Sequence, residues 1–175
     1  DWKWIKTQVT GFQNAKYQPL RCYEDIMIFS KCGAVASAKP PMRYFPQGII
    51  PVNLKVTTKP INYLGDKKSD EKVSYTQEEA NFPRNVIQFA RETDLYHPTQ
   101  KPIVLMEYIV STYSKRGDLV LDFTSGSGST LLACEVLNRR WIGIELTDKY
   151  CEVIKKRIQK GIQLKLQFEY DNENT

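Results

Sequence analysis

The chain has 175 residues, 41% of them apolar and 26% charged, with a formal net charge of +5 at pH 7. These fractions fit about one globular domain with a real core, and they exclude a disordered chain or a repeat fibre. The mild basicity admits a nucleic-acid partner without demanding one.

No apolar run approaches the roughly 20 residues of a membrane helix. The opening Asp1-Trp2-Lys3-Trp4-Ile5-Lys6 is not followed by the apolar core of a signal peptide. Its first residue is not Met, so the natural start is expected upstream. The four cysteines, at 22, 32, 134 and 151, form no Cys-x-x-Cys pair, which points to a reducing cytoplasm rather than a disulfide framework. His97 is the single histidine, so a multi-histidine metal site is excluded and no metal is expected.

The stretch up to about Arg91 is rich in Pro, Lys, Tyr and Phe and has little periodicity. Asp25 to Ser30, through Ile26, Met27, Ile28 and Phe29, has the length and apolarity of a strand. Between Gly33 and Phe82 several X-Pro pairs disfavour helix. The mixed charges of Asp66-Lys67-Lys68-Ser69-Asp70-Glu71-Lys72 predict a solvated loop.

From His97 to Lys160 the pattern is regular. Pro102 opens a helix with Ile103, Met106, Ile109, Val110 and Tyr113 on one face. Leu119-Val120-Leu121 reads as a buried strand ending at Asp122. A Gly/Ser loop, Thr124-Ser125-Gly126-Ser127-Gly128, leads to a helix that Ser129 or Thr130 can cap, carrying Leu131, Leu132, Cys134, Val136 and Leu137. Trp141-Ile142-Gly143-Ile144 is a second buried strand, ending at Glu145. Thr147 caps a last helix, with Lys155, Lys156, Arg157 and Lys160 toward its end and Gly161 as its stop. Alternating strands and helices imply a parallel sheet with helices on both faces. The tail alternates Ile162, Leu164, Leu166, Phe168 and Tyr170 with polar residues, which predicts an edge strand.

The unit of strand, Asp122, Gly-x-Gly, helix, strand and Glu145 has the design of a nucleotide cradle. Glycines admit close backbone approach, the N–H groups at the helix start favour polar ligand groups, and an acid closing the second strand can accept from ribose hydroxyls. A dinucleotide would call for a third glycine where Leu131 stands, and a triphosphate loop for a Lys where Ser129 stands. S-adenosylmethionine has no phosphate, and its cationic ammonium suits Asp122.

His97-Pro98-Thr99-Gln100-Lys101-Pro102 before a helix, then Val120-Leu121-Asp122-Phe123-Thr124-Ser125-Gly126-Ser127-Gly128-Ser129-Thr130, then Ile142-Gly143-Ile144-Glu145, resembles the DNA amino-methyltransferases. These are the N6-adenine and N4-cytosine enzymes of restriction–modification systems and phages. The order is similar to the permuted beta-type group, in which the cofactor motifs come last. Gly11-Phe12 and Arg21 to Phe29 resemble the segment after that family's catalytic motif. Asp122-Phe123-Thr124 stands in place of the common Asp-Pro-Phe and looks like phage-type adenine enzymes. Tyr23 stands where a His is usual. The catalytic tetrapeptide, an Asp, Asn or Ser followed by Pro-Pro and an aromatic residue, has no match. Lys39-Pro40-Pro41-Met42 fits neither flank.

The resemblance implies an α/β, Rossmann-like S-adenosylmethionine-dependent methyltransferase sheet with helices on both faces, plus an irregular target-recognition region. Residues 1–32 would belong to the catalytic domain, 33–90 to target recognition and 91–175 to cofactor binding. Asp122 would hold the methionine ammonium, with Thr124, Gly126, Ser127, Gly128 and Thr130 lining the cofactor and Glu145 on its ribose. Thr99, Lys101 and Pro102 would close over the methionine end, with Lys101 as a partner for the carboxylate. His97 would either join them or fix the loop. Lys39, Arg43, Lys55, Lys59 and Arg84, interleaved with Tyr44, Phe45, Tyr63 and Tyr75, would meet double-stranded DNA. The implied reaction is methyl transfer to adenine N6, in the cytoplasm of a bacterial or phage-infected cell. A homodimer is compatible with it, and no membrane partner is implied. Without the catalytic motif, this stretch alone is expected to bind cofactor at most moderately and to transfer no methyl group. Cytosine N4 as target, a non-catalytic DNA- or cofactor-binding remnant, and an RNA or protein methyltransferase are the competing readings. A nicotinamide oxidoreductase is more distant.

Overall fold

A computed structural model describes residues 1–35, 37–58 and 72–173, with the side chains of 164–173 left aside. In chain order the elements are β1 (Trp2–Thr10), a 3-10 turn (Phe12–Asn14), β2 (Arg21–Ile26), β3 (Ile50–Thr58), β4 (Val73–Ala80), β5 (Val86–Phe89), α1 (Ile103–Tyr113), β6 (Leu119–Asp122), α2 (Ser129–Val136), β7 (Arg140–Gly143) and α3 (Asp148–Glu173). Two compact units result: one is residues 1–45 with 85–175, the other Pro46–Arg84. Lys59, Tyr63 and the charged segment from Asp66 to Glu71 lie outside the described residues. Among the described residues, no helix is long and apolar enough to cross a membrane.

In the larger unit β1 is the middle strand of a three-stranded sheet, antiparallel to β2 and parallel to β5. Alternation turns Trp2, Trp4 and Lys6 to one buried side. Trp2 donates its indole N–H to the Tyr113 hydroxyl (2.7 Å) and meets the Tyr108 ring edge-on, and Trp4 donates to the Phe89 carbonyl (3.0 Å). Both tyrosines are on α1, so α1 packs against this sheet as well as against α2. That double contact explains why Leu105 and Thr112 are buried along with Val110: a helix covered on two sides has no single apolar stripe.

The strand expected at residues 25–30 lies earlier. β2 pairs with β1 from Thr10–Arg21 to Trp2–Ile26 and ends at Ile26. Met27 and Phe29, beyond that end, are exposed.

The cofactor-type half holds as a strand–helix–strand unit. β6 and β7 run parallel, with Val120 beside Trp141 and Asp122 beside Gly143. α2 packs on this ribbon and on α3, around a core of Leu131, Leu132 and Ile158 with Ile103, Trp141 and Ile154 against it. The side chains of Leu119, Leu121, Ile142 and Ile144, which alternation places on the other face, are all about half exposed or more.

Two expectations about helix ends are corrected. Neither Ser129 nor Thr130 caps α2. Gly128 occupies that position at φ 79°, with no side-chain cap, and a Cβ there would lie 2.9 Å from Ile154 Cγ1. Gly161 does not stop α3, and the tail is helix rather than an edge strand. The alternating apolar residues also recur every four positions, a spacing that a helix accommodates as well as a strand does. Gly161 costs about 1 kcal/mol inside a helix. It is accommodated because α2 approaches so closely that a Cβ would lie 2.5 Å from Leu132 Cδ1.

The smaller unit is an antiparallel pair, β3 with β4, in register from Ile50–Ala80 to Thr58–Val73 with one irregularity.

Burial leaves a testable mark on the thiols. Cys134 is fully buried, which pushes its thiol up to about 11, whereas Cys22 is exposed. A thiol reagent at pH 8 is expected to label Cys22 in the native protein and to reach Cys134 only on unfolding. Peptide mapping by mass spectrometry checks this, and native labelling of Cys134 at the Cys22 rate would contradict it.

Candidate cofactor site

The two acids singled out from the sequence stand at the C-terminal ends of the parallel strands β6 and β7, where open α/β sheets bind ligands. The turn between them is fixed by the backbone. Ile144 N–H donates to the Asp122 carbonyl (2.8 Å), Ser125 N–H to the Ile144 carbonyl (2.9 Å) and Gly128 N–H to the Ser125 carbonyl (2.7 Å). The Ser125 hydroxyl donates to the Asp122 carbonyl at 2.9 Å. This turn brings the glycine loop across the strand ends.

Asp122 Oδ1 accepts from the Thr124 N–H at 3.1 Å. Glu145 does more: Oε2 accepts from Gly126 N–H (2.8 Å) and Oε1 from Thr147 N–H (3.0 Å). These donors, Thr147 and then Gly126, hold its carboxyl below the ordinary 4.5. A carboxylate has about four acceptor positions, so each of its oxygens can still take a ligand hydroxyl.

The opposite wall is the loop before α1. His97 Nδ1 accepts from the Thr99 N–H (3.2 Å) and lies 3.1 Å from the Thr99 hydroxyl. Its ring packs on Tyr150, with centroids 4.5 Å apart. Gly126, at φ 52°, faces this ring, and a Cβ there would sit 3.8 Å from His97 Cδ2. Lys101 Nζ stands 3.0 Å from Glu24 Oε2, so its charge already has a partner on β2. Partial burial pushes the Glu24 carboxyl up, but the ammoniums of Lys101 and Lys6 more than offset this and hold it below its ordinary value.

These walls enclose a cavity of about 650 Å³, a size typical of small-molecule sites. Of the residues expected there, His97, Thr99, Lys101, Asp122, Thr124, Gly126, Ser127, Thr130 and Glu145 line it. Two others stand behind the lining: Pro102 is buried at the start of α1, and Gly128 packs on Ile154. Sequence reasoning missed Gln100, Met106, Phe123, Ser125, Ser129, Ile144, Leu146 and Thr147, which also line the cavity. Gln100 and Thr147 lie inside quoted motifs and their neighbours, so position alone could have flagged them.

The described basic residues named for DNA are divided between the two units. In the larger unit Lys39 is exposed, and Arg43 donates to Asp118 Oδ2 at 2.6 Å. In the smaller unit Lys55, on β3, and Arg84 are exposed.

Comparison with known proteins gives concordant results. The profile of the N6/N4 methyltransferase family, described as DNA methylase, matches residues 1–156. The type II methyltransferase M2.LlaDCHI of Lactococcus lactis subsp. cremoris is 42% identical over 65 residues, 37% of this chain and 24% of that protein. M.HpaI of Haemophilus parainfluenzae is 45% identical over 62 residues, 35% of this chain and 20% of that protein. Among solved structures, the SAM complex of M1.HpyAVI superposes with a TM-score of 0.51 at 26% identity, covering 90% of this chain and 60% of that one. The matched part of the chain thus spans only about a fifth to a quarter of the length of these curated relatives.

Proposed function

This chain belongs to the N6/N4 DNA methylase family, and from that premise we propose that it carries the S-adenosylmethionine-binding part of an enzyme that methylates adenine N6 in double-stranded DNA. The observation that carries this reading is the single cavity uniting Asp122, Gly126 and Glu145 with the His97–Lys101 loop.

The residues fit that cofactor. Two carboxylates at parallel strand ends face the cavity, one for an ammonium and one for a diol. The missing side chain at Gly126 keeps the space beside the His97 ring open. When bound, the cofactor supplies an activated methyl group on a sulfonium. Asp122 would accept from the ammonium and Glu145 from the ribose hydroxyls. The backbone at Gly126 and Ser127 admits close approach. Thr99 and Lys101 would bound the methionine end, with Lys101 steadied by Glu24. His97, held through Nδ1 by the Thr99 N–H, keeps this loop in shape. The groups that receive the target amine belong to the catalytic tetrapeptide, which this sequence does not contain. Target recognition is assigned to residues 33–90, within which the Pro46–Arg84 unit falls.

Two measurements test the proposal. The full natural protein should bind S-adenosylmethionine in calorimetry and leave N6-methyladenine in duplex DNA on nucleoside analysis. N4-methylcytosine instead would move the target base, and no cofactor binding would overturn the reading. The 175-residue chain alone should transfer no labelled methyl group to the same DNA.

A further inference from the structure

Outside the lining of this cavity, one partly buried ion pair, its Glu92 side chain 22% exposed, touches both of its walls. Arg157, on α3, has a side chain only 8% exposed. Its Nη1 donates to the Ser127 carbonyl in the glycine loop (2.6 Å) and lies 3.5 Å from the Ser129 hydroxyl. Its Nη2 lies 3.3 Å from Glu92 Oε2, and its guanidinium sits 5.0 Å from the centre of the Tyr96 ring. Glu92 in turn reaches the other wall. Its Oε1 accepts from the Ile103 N–H at the start of α1 (2.7 Å), and Oε2 accepts from the Gln100 side-chain amide. Gln100 then accepts from the Tyr96 N–H at 3.0 Å and donates to the Asp94 carbonyl at 3.1 Å. Neither Glu92 nor Arg157 lines the cavity.

A largely desolvated ion pair is weak evidence for stability, because taking charges out of water can cost as much as their attraction returns. This pair is placed where geometry matters most. The glycine loop has two residues at positive φ, Gly126 and Gly128, and little stiffness of its own. Arginine's rigid fork reaches both the carbonyl at Ser127 and the carboxylate of Glu92 from one guanidinium.

We infer that Glu92 and Arg157 are positioning residues: they clamp the glycine loop and the 96–103 loop at the spacing that receives the cofactor, touching neither cofactor nor substrate. The inference rests on the proposed function above. Arg157→Met and Glu92→Gln should each raise the dissociation constant for S-adenosylmethionine about tenfold in calorimetry on the full protein. Their KM for the cofactor should rise alike, while KM for DNA stays within about twofold. Arg157→Lys, which keeps the charge but loses the fork, should fall between, and the surface substitution Lys155→Ala should change nothing. A variant that merely lost folded molecules would show a lower kcat with unchanged KM. Should Arg157→Met not fold, Glu92→Gln and Arg157→Lys carry the test, with amide hydrogen exchange expected to quicken at residues 97–101 and 125–129. Binding by the unaltered protein together with unchanged cofactor affinity in the variants would overturn the positioning role alone. No binding by the unaltered protein would overturn the function it rests on, and the inference with it.

Discussion

Glu145→Ala should weaken S-adenosylmethionine binding on the order of 100-fold, the largest single-residue effect expected at the site. The substitution removes the acceptor for the ribose diol and also frees the Gly126 and Thr147 N–H groups that the carboxylate now holds. Glu145→Gln keeps the shape and one good acceptor, so it should fall between the two. Calorimetry on the full protein decides, and an affinity for Glu145→Ala within about threefold of the unaltered protein would refute the assignment.

The same carboxylate gives the site a defined acid limit. Its folded pKa lies below the ordinary 4.5 because two backbone N–H groups bond the charged form. A group depressed in this way contributes fully above its unfolded pKa, and the contribution is lost as pH falls through the folded one. The Gly126 and Thr147 amide resonances should therefore hold steady from neutrality down to the ordinary carboxylate range and move only below it. Movement centred near neutral pH would contradict this.

The second large effect concerns packing. Leu131 is 1% exposed at the centre of the α2 core, and Leu131→Ala should cost about 2–5 kcal/mol in chemical denaturation. Gly143, on the neighbouring strand, leaves little room for a side chain for the same reason. A Cβ on Gly143 would lie 2.4 Å from Leu131 Cδ1 and 2.8 Å from Ser125 Oγ, so Gly143→Ala should cost about 1–3 kcal/mol by overpacking. Combined, the two should cost less than their sum, because the space vacated by Leu131 admits the new methyl group. Strict additivity would show that the contact is not the cause.

The parts of the chain that were legible before the structure share a physical trait. β6, α2 and β7 are consecutive and local, and their turn chemistry sits in adjacent residues, so Asp122, the glycine loop and Glu145 could be read in order. β1 was missed because its buried side is Trp2, Trp4 and Lys6, and a buried lysine breaks the two-residue alternation that marks a strand. The tail was misread because its apolar spacing satisfies both a period of two and a spacing of four. The Glu92–Arg157 clamp joins residues 65 positions apart. A lone arginine in a run of basic residues at a helix end reads as a solvated charge until the fold buries it.

One consequence follows from the uncovered side of the β6–β7 ribbon. Leu121 and Ile144, both more than half exposed there, each immediately precede one of the two carboxylates. Any partner whose contact on that side moved these strand ends would also move Asp122 and Glu145. Its binding and the cofactor's are then thermodynamically reciprocal: whatever tightens one by a given factor when the other is present is tightened by the same factor in return.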